Sequence, residues 1–446
     1  MFSCICIVDY FFSVTYTYKC PCVGTCRCVP SSFAMSRLLI SFATGIVALL
    51  YTYTQVQEKE RANIHDKYGQ IVVIVDRLNF GVLGTSGTFR NDPENQYYNP
   101  TNSSAPFFQV FEDEFLDIIG PNPSLNIISS DPSFAFAHEA PVWMPDTDEV
   151  FFASNAGGAL GRSDINRNNQ VFKMSLREVA EAMGSAGETL QNVNVTHYRI
   201  DLPETVQMTN GGTGLYKGQI ILMNEGRGHR PSTIALMNPY PPYNVSVILD
   251  NFYGRHFNSL NDVKVHKSGS IFFTDVPYGY YHHFRPSPQL PNQVYSFDPR
   301  TGAIGVVADQ VNKPNGLTFS KDYQTAYIAD TGSLMAQFGI DRTLPASIQQ
   351  YDVDPKSLIF KNQRVFAYVD SGASDGINVD EFGNVYGACF DGINVWNPSG
   401  RLIGKFFLGT TSANFVFAGK GRLVILAETE IYLAKIAAGG VSLMYE

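Results

Sequence analysis

Six acidic or amide residues of the sequence occupy the same place in a recurring pattern. Each precedes a short apolar run, a turn, a second apolar run and a polar residue at its end. The six residues are Glu139, Asn210, Asn261, Asn315, Asp375 and Asn414. Two carboxylates among four amides form an oxygen-rich set with a net negative charge, which suits a hard divalent cation such as calcium better than zinc. The pattern therefore predicts a metal site, if the fold brings the six residues together.

The same pattern predicts the fold that would bring them together. Each unit has the length of two short strands joined by a turn, as in NDVKVHKSGSIFFTD, which starts at Asn261. The starts lie far enough apart for four strands and their loops, which is the blade of a β-propeller. Six units predict an all-β, six-bladed β-propeller, with the six residues in its central channel. For a single unit an ordinary turn is the better explanation of an Asn-Gly or Asp-Gly pair, but the common register of all six favours the metal site.

Composition agrees with a large folded domain. The chain has 446 residues, of which 44% are hydrophobic and 16% are charged, so it can bury a large core. Its formal net charge of -9 excludes nucleic acid as the expected partner, because phosphate binding requires a basic surface.

The amino-terminal residues differ from the repeats. Residues 1–34 hold six of the seven cysteines, at spacings that do not match a structural zinc site. This segment is either a cysteine-rich extension or the product of an overextended gene model. Residues 35–54 have the layout of a signal peptide or an amino-terminal anchor, because Arg37 precedes an apolar run over residues 38–51. We expect a secreted, extracellular or lumenal protein, with no membrane contact beyond such an anchor.

The remaining chain divides into a polar linker, residues 55–68, and the propeller, residues 69–446. Sequons at Asn102, Asn194 and Asn244 agree with a glycoprotein. The last repeat supplies only three strands, so an amino-terminal strand must complete its blade. The apolar stretch from Gly69 to Asp76 is our candidate for this closing strand.

One helix is predicted within the first blade. The segment SLREVAEAM begins at Ser175 and ends at Met183, and Ser175 with Glu178 three residues later forms the pattern of a capping box.

Four segments resemble the gluconolactonase/regucalcin-type lactonase family, and most closely its fungal lactonohydrolase branch. These segments are HEAPVW at 138–143, SLNDVKVHKSGSIFFTDVPYG at 259–279, KPNGLTFSKDYQTAYIADTG at 313–332 and DGINVDEFGNVYGA at 375–388. The resemblance covers about residues 130–430. It implies a divalent metal, usually calcium, with zinc or manganese as alternatives. It also implies that Glu139, Asn315 and Asp375 bind the metal and that Asn261 lies beside the metal and the substrate.

The reaction implied by the resemblance is hydrolysis of a small-molecule lactone by water, the lactone being a sugar lactone or another aldono- or aromatic lactone. Asp375 is the implied proton acceptor, and His229 and His138 are alternatives because imidazole suits proton transfer at neutral pH. Alternation along the strand is expected to turn His138 away from Glu139. Asn261, Asn210 and Glu225 are the candidate substrate contacts.

Ser374 fits a nucleophile motif, G-x-S-x-G, but a strand follows where that motif needs a helix. We therefore do not expect it to act as a nucleophile.

Two other functions remain compatible with the sequence. The same metal-bearing propeller could hydrolyse aryl esters or organophosphates, since those reactions also need a polarised oxygen and an activated water. A non-enzymatic propeller that binds ligands or proteins is the second alternative. The combination of Glu139, Asn315 and Asp375 favours an enzyme, and the sequence identifies no protein partner.

Overall fold

The structure is a computed structural model that describes residues 67–85, 99–101, 103–185, 192–441, 443 and 445. The cysteine-rich segment, the predicted signal or anchor, residues 55–66 of the linker and the sequon at Asn102 lie outside the described residues. Within the described part of the chain, no helix has the length and apolar character that crossing a membrane requires.

The described chain is built almost entirely of short strands. In chain order the strands are β1 (Val72–Ile74), β2 (Phe107–Val110), β3 (Ser124–Ser130), β4 (Glu139–Met144), β5 (Glu149–Ala153), β6 (Val171–Ser175), β7 (Tyr198–Ile200), β8 (Thr209–Tyr216), β9 (Gln219–Asn224), β10 (Thr233–Met237), β11 (Val245–Leu249), β12 (Leu260–Val265), β13 (Ile271–Asp275), β14 (Gln293–Asp298), β15 (Ala303–Ala308), β16 (Pro314–Phe319), β17 (Thr325–Asp330), β18 (Ser347–Val353), β19 (Phe360–Tyr368), β20 (Ile377–Val379), β21 (Val385–Cys389), β22 (Gly392–Trp396), β23 (Leu402–Phe407), β24 (Asn414–Phe417), β25 (Arg422–Ala427) and β26 (Glu430–Lys435). The helices are α1 (Glu114–Ile119), α2 (Leu176–Ser185) and α3 (Tyr278–Tyr281), and 3-10 turns lie at Gly69–Ile71, Arg77–Phe80 and Ala336–Phe338.

The strands form six antiparallel blades around one axis, which confirms the predicted six-bladed β-propeller. Blades 1 to 5 begin with the inner strands β4, β8, β12, β16 and β20, and blade 6 begins with β24. Each inner strand contacts the inner strand of the next blade, and β24 contacts β4, so the ring is closed. The inner two strands of a blade face neighbours on both sides. Their sequences therefore read as continuous apolar runs, as in β13, where all five residues are buried.

Blade 6 is closed by β3, which pairs antiparallel with β26. The prediction that Gly69–Asp76 closes the propeller is wrong. Strand β1 of that segment pairs in parallel with β2, and β2 is added to the outer edge of β23 in blade 5. An apolar run indicates a strand but not the edge on which it pairs, because strand pairing is a long-range contact.

Helix α2 follows β6 as a surface element, as the sequence predicts. The hydroxyl oxygen of Ser175 accepts a hydrogen bond from the backbone N–H of Glu178 at 3.2 Å. This bond satisfies one of the free N–H groups of the first turn. Leu176 and Val179 are buried and join the apolar cluster between blades 6 and 1.

Glycines allow the inner strands to approach one another closely. A Cβ atom at Gly211 would lie 2.1 Å from the carbonyl oxygen of Asn261, and one at Gly316 would lie 2.2 Å from that of Asp375. Asp262 occupies the corresponding position of blade 3, and its carboxylate accepts a hydrogen bond from the backbone N–H of Leu317 at 2.7 Å. In blades 2, 3 and 4 the residue that follows the candidate site residue therefore sets the distance to the next blade.

The carboxyl-terminal residues cross the end of the channel at which the inner strands finish. The backbone N–H of Val441 donates to the carbonyl of Val379 at 3.0 Å, and that of Tyr445 donates to Leu215 at 2.9 Å. The ring of Tyr445 stacks on Tyr216 with centroids 5.4 Å apart. This segment links blade 5 to blade 2 and leaves the opposite end, where the inner strands begin, to the candidate site.

Replacing Gly316 by Ala should lower the free energy of unfolding by about 1–3 kcal/mol, because the new methyl group collides with the backbone of the next blade. Gly305→Ala is the matched control, since a Cβ atom there meets no atom within 4 Å. Thermal and urea unfolding of the two variants measures the difference. Equal stability of the two variants would show that the blades can separate at no cost.

Candidate active site

Five of the six repeated residues line one cavity at the starting end of the inner strands. The cavity has a volume of about 320 Å³. Its floor carries the candidate residues Glu139, Asn210, Glu225, Asn261, Asn315 and Asp375. Asn414, the sixth repeated residue, lies just beneath, where its amide donates to Oε2 of Glu139 at 2.8 Å. The fold thus brings together every predicted metal and substrate residue, with His229 as the exception among the candidate site residues.

The two carboxylates of the floor destabilise one another when both are ionised. Burial and the charge of Asp375 raise the pKa of Glu139 well above its usual range. Burial also raises the pKa of Asp375 to about 6, and the carboxylates of Glu428 and Asp262 add to this, while His138 and Asn315 oppose it. A pair of like charges in a buried cavity favours a cation between them.

Several buried oxygen atoms of the floor have no hydrogen-bond donor among the described residues. They are Oδ1 of Asn210, Oδ1 of Asn261, Oδ1 of Asp375 and Oε2 of Glu225. The amide of Asn210 is oriented by its own bond, because Nδ2 donates to Oε1 of Glu225 at 3.1 Å. Buried acceptors without donors are rare and mark places where an ion or water belongs. All four are hard oxygen ligands, so the floor fits a hard divalent cation.

His138 also faces the cavity, so the expectation that alternation turns it away from Glu139 is wrong. One side-chain ligand atom each from His138, Glu139 and Asp375 lies within 4.8 Å of the others. Strand β4 is irregular between Glu139 and Val142, and Ala140 has a positive φ of 52°. Regular alternation therefore does not extend back to His138, which precedes the strand.

A carboxylate holds His138 in its charged form. Nδ1 of His138 lies 2.6 Å from Oε1 of Glu428, and Asn155 donates to Oε2 of the same carboxylate at 3.0 Å. Burial lowers the pKa of His138, but the charges of Glu428, Glu139 and Asp375 outweigh it and raise that pKa to about 10. The same side chain belongs to the group of His138, Glu139 and Asp375, whose ligand atoms lie close enough together to hold a metal ion.

His229 lies outside the cavity. It is exposed on the loop between β9 and β10 and lines a separate depression with His256 and Arg285. The loop is held in a tight turn by hydrogen bonds between the backbones of Arg227 and Arg230. The spacing of His229 from the second inner strand did not reveal this turn.

Three residues of the cavity were not predicted as functional. The hydroxyl of Tyr278 contacts that of Thr331 at 2.5 Å, and burial raises the pKa of Tyr278. Burial and the charge of His138 lower the pKa of His282 to about 4, so this imidazole is neutral. Glu428 is the polar residue that ends the sixth repeat, so its position in the pattern was the available signal.

Comparison with known proteins identifies similar chains. A family model described as SMP-30/gluconolactonase/LRE-like region matches residues 137–428. Lactonohydrolase oryL of Aspergillus oryzae is 29% identical over 383 residues, which cover 80% of each chain. A gluconolactonase of Zymomonas mobilis is 30% identical over 194 residues, which cover 41% of this chain and 51% of that protein.

Solved structures share the fold. A gluconolactonase from Xanthomonas campestris superposes with a TM-score of 0.56 at 21% identity, over 73% of this chain and 93% of that chain. Regucalcin from Agrobacterium tumefaciens, described as a calcium-binding protein, superposes with a TM-score of 0.50 at 14% identity, over 72% of this chain and 99% of that chain. At these identities the likeness concerns the fold alone.

The ion pair of His138 and Glu428 makes the stability of the fold depend on pH. The folded pKa of His138 lies above its usual 6.5. The pair therefore stabilises the fold fully below pH 6.5, and this contribution is lost as the pH rises through about 10.

Replacing Glu428 by Gln should lower the pKa of His138 by about 1–3 units, because an attractive charge is removed while burial remains. NMR titration of the imidazole protons in chelated protein measures the shift, with Glu149→Gln as control. An unchanged pKa would remove Glu428 as its cause.

Proposed function

Because the chain belongs to the SMP-30/gluconolactonase/LRE-like family, we propose that it is a metal-dependent lactonase that opens a lactone ring with water. The observation that carries this proposal is the cavity floor, where the carboxylates of Glu139 and Asp375 meet buried amide oxygens that lack donors. The names of the relatives, lactonohydrolase and gluconolactonase, support the reaction class.

Glu139, Asn315 and Asp375 are the residues that would hold the metal, with Asn261 beside it. Their ligand atoms are carboxylate and amide oxygens from four blades, which favours calcium over zinc and leaves manganese as an alternative. The calcium-binding regucalcin of the same fold agrees with this choice. When bound, such a cation polarises the lactone carbonyl and stabilises the oxyanion that forms on attack.

Asp375 is the proposed general base. Its carboxylate lies on the cavity floor beside Glu139, where it can accept a proton from a water molecule bound in the cavity. It takes a proton from water as the water oxygen bonds to the carbonyl carbon. When the ring C–O bond breaks, Asp375 returns that proton to the departing alkoxide, and the product is a hydroxy acid.

Three further residues of the floor are proposed to orient the substrate. Asn210 and Asn261 offer amide groups, and Glu225 has a pKa raised to about 7 by burial. In its protonated form Glu225 donates a hydrogen bond to a substrate oxygen. His229 takes no part in this proposal, because it lies outside the cavity.

We also propose that the protein acts outside the cytosol, on the evidence of the apolar run at residues 38–51 and the sequons. Asn194 and Asn244 are exposed, as glycosylation requires. Glycosidase treatment of the protein from its native source, followed by measurement of its mass, tests this location.

Asp375→Asn should reduce kcat by about 10²–10⁴-fold, because the general base is lost. Ser374→Ala is the matched control and should retain activity, since Ser374 is not expected to be a nucleophile. Ring opening of a panel of lactones by the two variants, with circular dichroism to confirm folding, measures the effect. Retained turnover in Asp375→Asn would exclude this residue as the base.

Chelation should abolish ring opening, and calcium should restore it. Binding at 100 times Kd should also stabilise the fold by about 2.7 kcal/mol, which thermal unfolding detects independently of activity. Glu139→Gln should weaken this stabilisation, whereas Glu381→Gln, which lines the opposite end of the channel, should not. A chelated protein that melts unchanged and remains active would contradict metal dependence.

A further inference from the structure

The wall of the active-site cavity is apolar, in contrast to its polar floor. The residues of this wall are Leu334, Ala336, Ile340, Ala373 and Phe390. Among the described residues that line the cavity there is no lysine or arginine. This part of the wall therefore offers carbon atoms to a bound molecule, and the hydroxyl-bearing residues Thr411 and Ser412 line the cavity elsewhere.

The loop after β17 forms most of this wall and is held by its own hydrogen bonds. Leu334 and Ile340 form an isolated antiparallel bridge, so their side chains belong to one small hairpin. The backbone N–H of Met335 donates to the carbonyl of Gly339 at 2.9 Å, and that of Ser333 donates to Pro345 at 2.7 Å. These hydrogen bonds fix the conformation of the loop, so the wall has a defined shape.

Phe390 also belongs to the wall, and its ring packs against a glycine. A Cβ atom at Gly372 would lie 2.3 Å from the ring of Phe390, so the ring rests directly on that backbone. Gly372 has a positive φ of 69°, which also favours glycine. Because Gly372 has no side chain, the ring of Phe390 can pack directly against its backbone, beside Ala373.

The apolar surface continues from the wall out onto the rim. Phe338 is 54% exposed, Ile340 is 42% exposed and Tyr280 is 36% exposed. The rings of Tyr280 and Phe338 stack with centroids 6.5 Å apart, and Tyr281 meets Phe338 edge-on at 5.7 Å. Single exposed apolar residues are common, but a cluster that is continuous with a cavity marks a ligand surface.

We propose that the substrate is a lactone that carries an alkyl chain, with its ring on the polar floor and its chain along the wall to the rim. This inference rests on the proposed lactonase function. A sugar lactone carries hydroxyl groups around its ring, and those that faced the wall would lose water without gaining a partner. A flexible chain follows the apolar path from Phe390 outward to Phe338, which a flat fused aromatic ring cannot do.

A series of δ-lactones tests the inference directly. In δ-hexalactone, δ-nonalactone and δ-undecalactone the ring is constant while the substituent grows from methyl to butyl to hexyl. Full burial contributes roughly fourfold in affinity per methylene, so kcat/KM should rise at least about tenfold from the methyl to the butyl compound. δ-Gluconolactone, corrected for its spontaneous hydrolysis, should be a poorer substrate than δ-nonalactone.

Variants of the wall and rim locate the effect. Ile340→Thr and Phe338→Ser should each raise KM for δ-nonalactone several-fold and leave δ-hexalactone nearly unchanged. Phe382→Ser is the matched control, because Phe382 is 70% exposed and follows Glu381 at the opposite end of the channel. It should behave as the unmodified protein with every lactone.

The outcomes separate this inference from the lactonase function itself. If δ-gluconolactone or dihydrocoumarin exceeds all alkyl lactones, or if chain length has no effect, the inference is wrong and the lactonase function stands. If the folded, calcium-loaded protein opens no lactone of the series, the proposed lactonase function is wrong, and the inference falls with it. Loss of the chain-length effect in Ile340→Thr, with kcat for δ-hexalactone intact, supports the alkyl path.

Discussion

The close approach of the inner strands around the channel axis is the constraint on which the rest of the structure depends. Side chains would keep the blades apart, so Gly211 and Gly316 are placed where a Cβ atom would collide with the next blade. The residue before each of these glycines is a candidate site residue. The packing that narrows the ring therefore also directs the polar side chains to one point.

The convergence of these polar side chains also brings carboxylates together, and their repulsion opposes the packing of the blades. Glu139 and Asp375 lie close together, and burial raises the pKa of both. The charge of Asp375 adds to the shift of Glu139, and the charges of Glu428 and Asp262 add to that of Asp375. Such a cluster destabilises the fold unless a bound proton, a positively charged side chain or a bound cation neutralises it. Sites of this kind are expected to conflict with local stability because their geometry serves function.

The rest of the propeller holds that cluster in place. Strand β3 completes blade 6 and so ties the beginning of the domain to its end. The segment that ends with Tyr445 links blades 5 and 2 at the far end of the channel. Both contacts restrict movement of the blades. Blades that cannot move apart keep the mutually repelling carboxylates of the floor close together. The loops at the open end, including residues 334–340, do not hold the blades together, and they shape the apolar wall.

The sequence by itself determined the repeating elements. The six repeated residues, the number of blades and helix α2 followed from patterns within a few tens of residues, because strand alternation and helix capping are local. Only the tertiary structure decided which strand closes the ring, that His138 faces the cavity, that His229 lies outside it, and that Tyr278 and Glu428 line it. These outcomes depend on contacts between distant blades and on loop conformations. Local periodicity carries no information about either, since a bulge or a tight turn changes the direction of a side chain without changing the pattern.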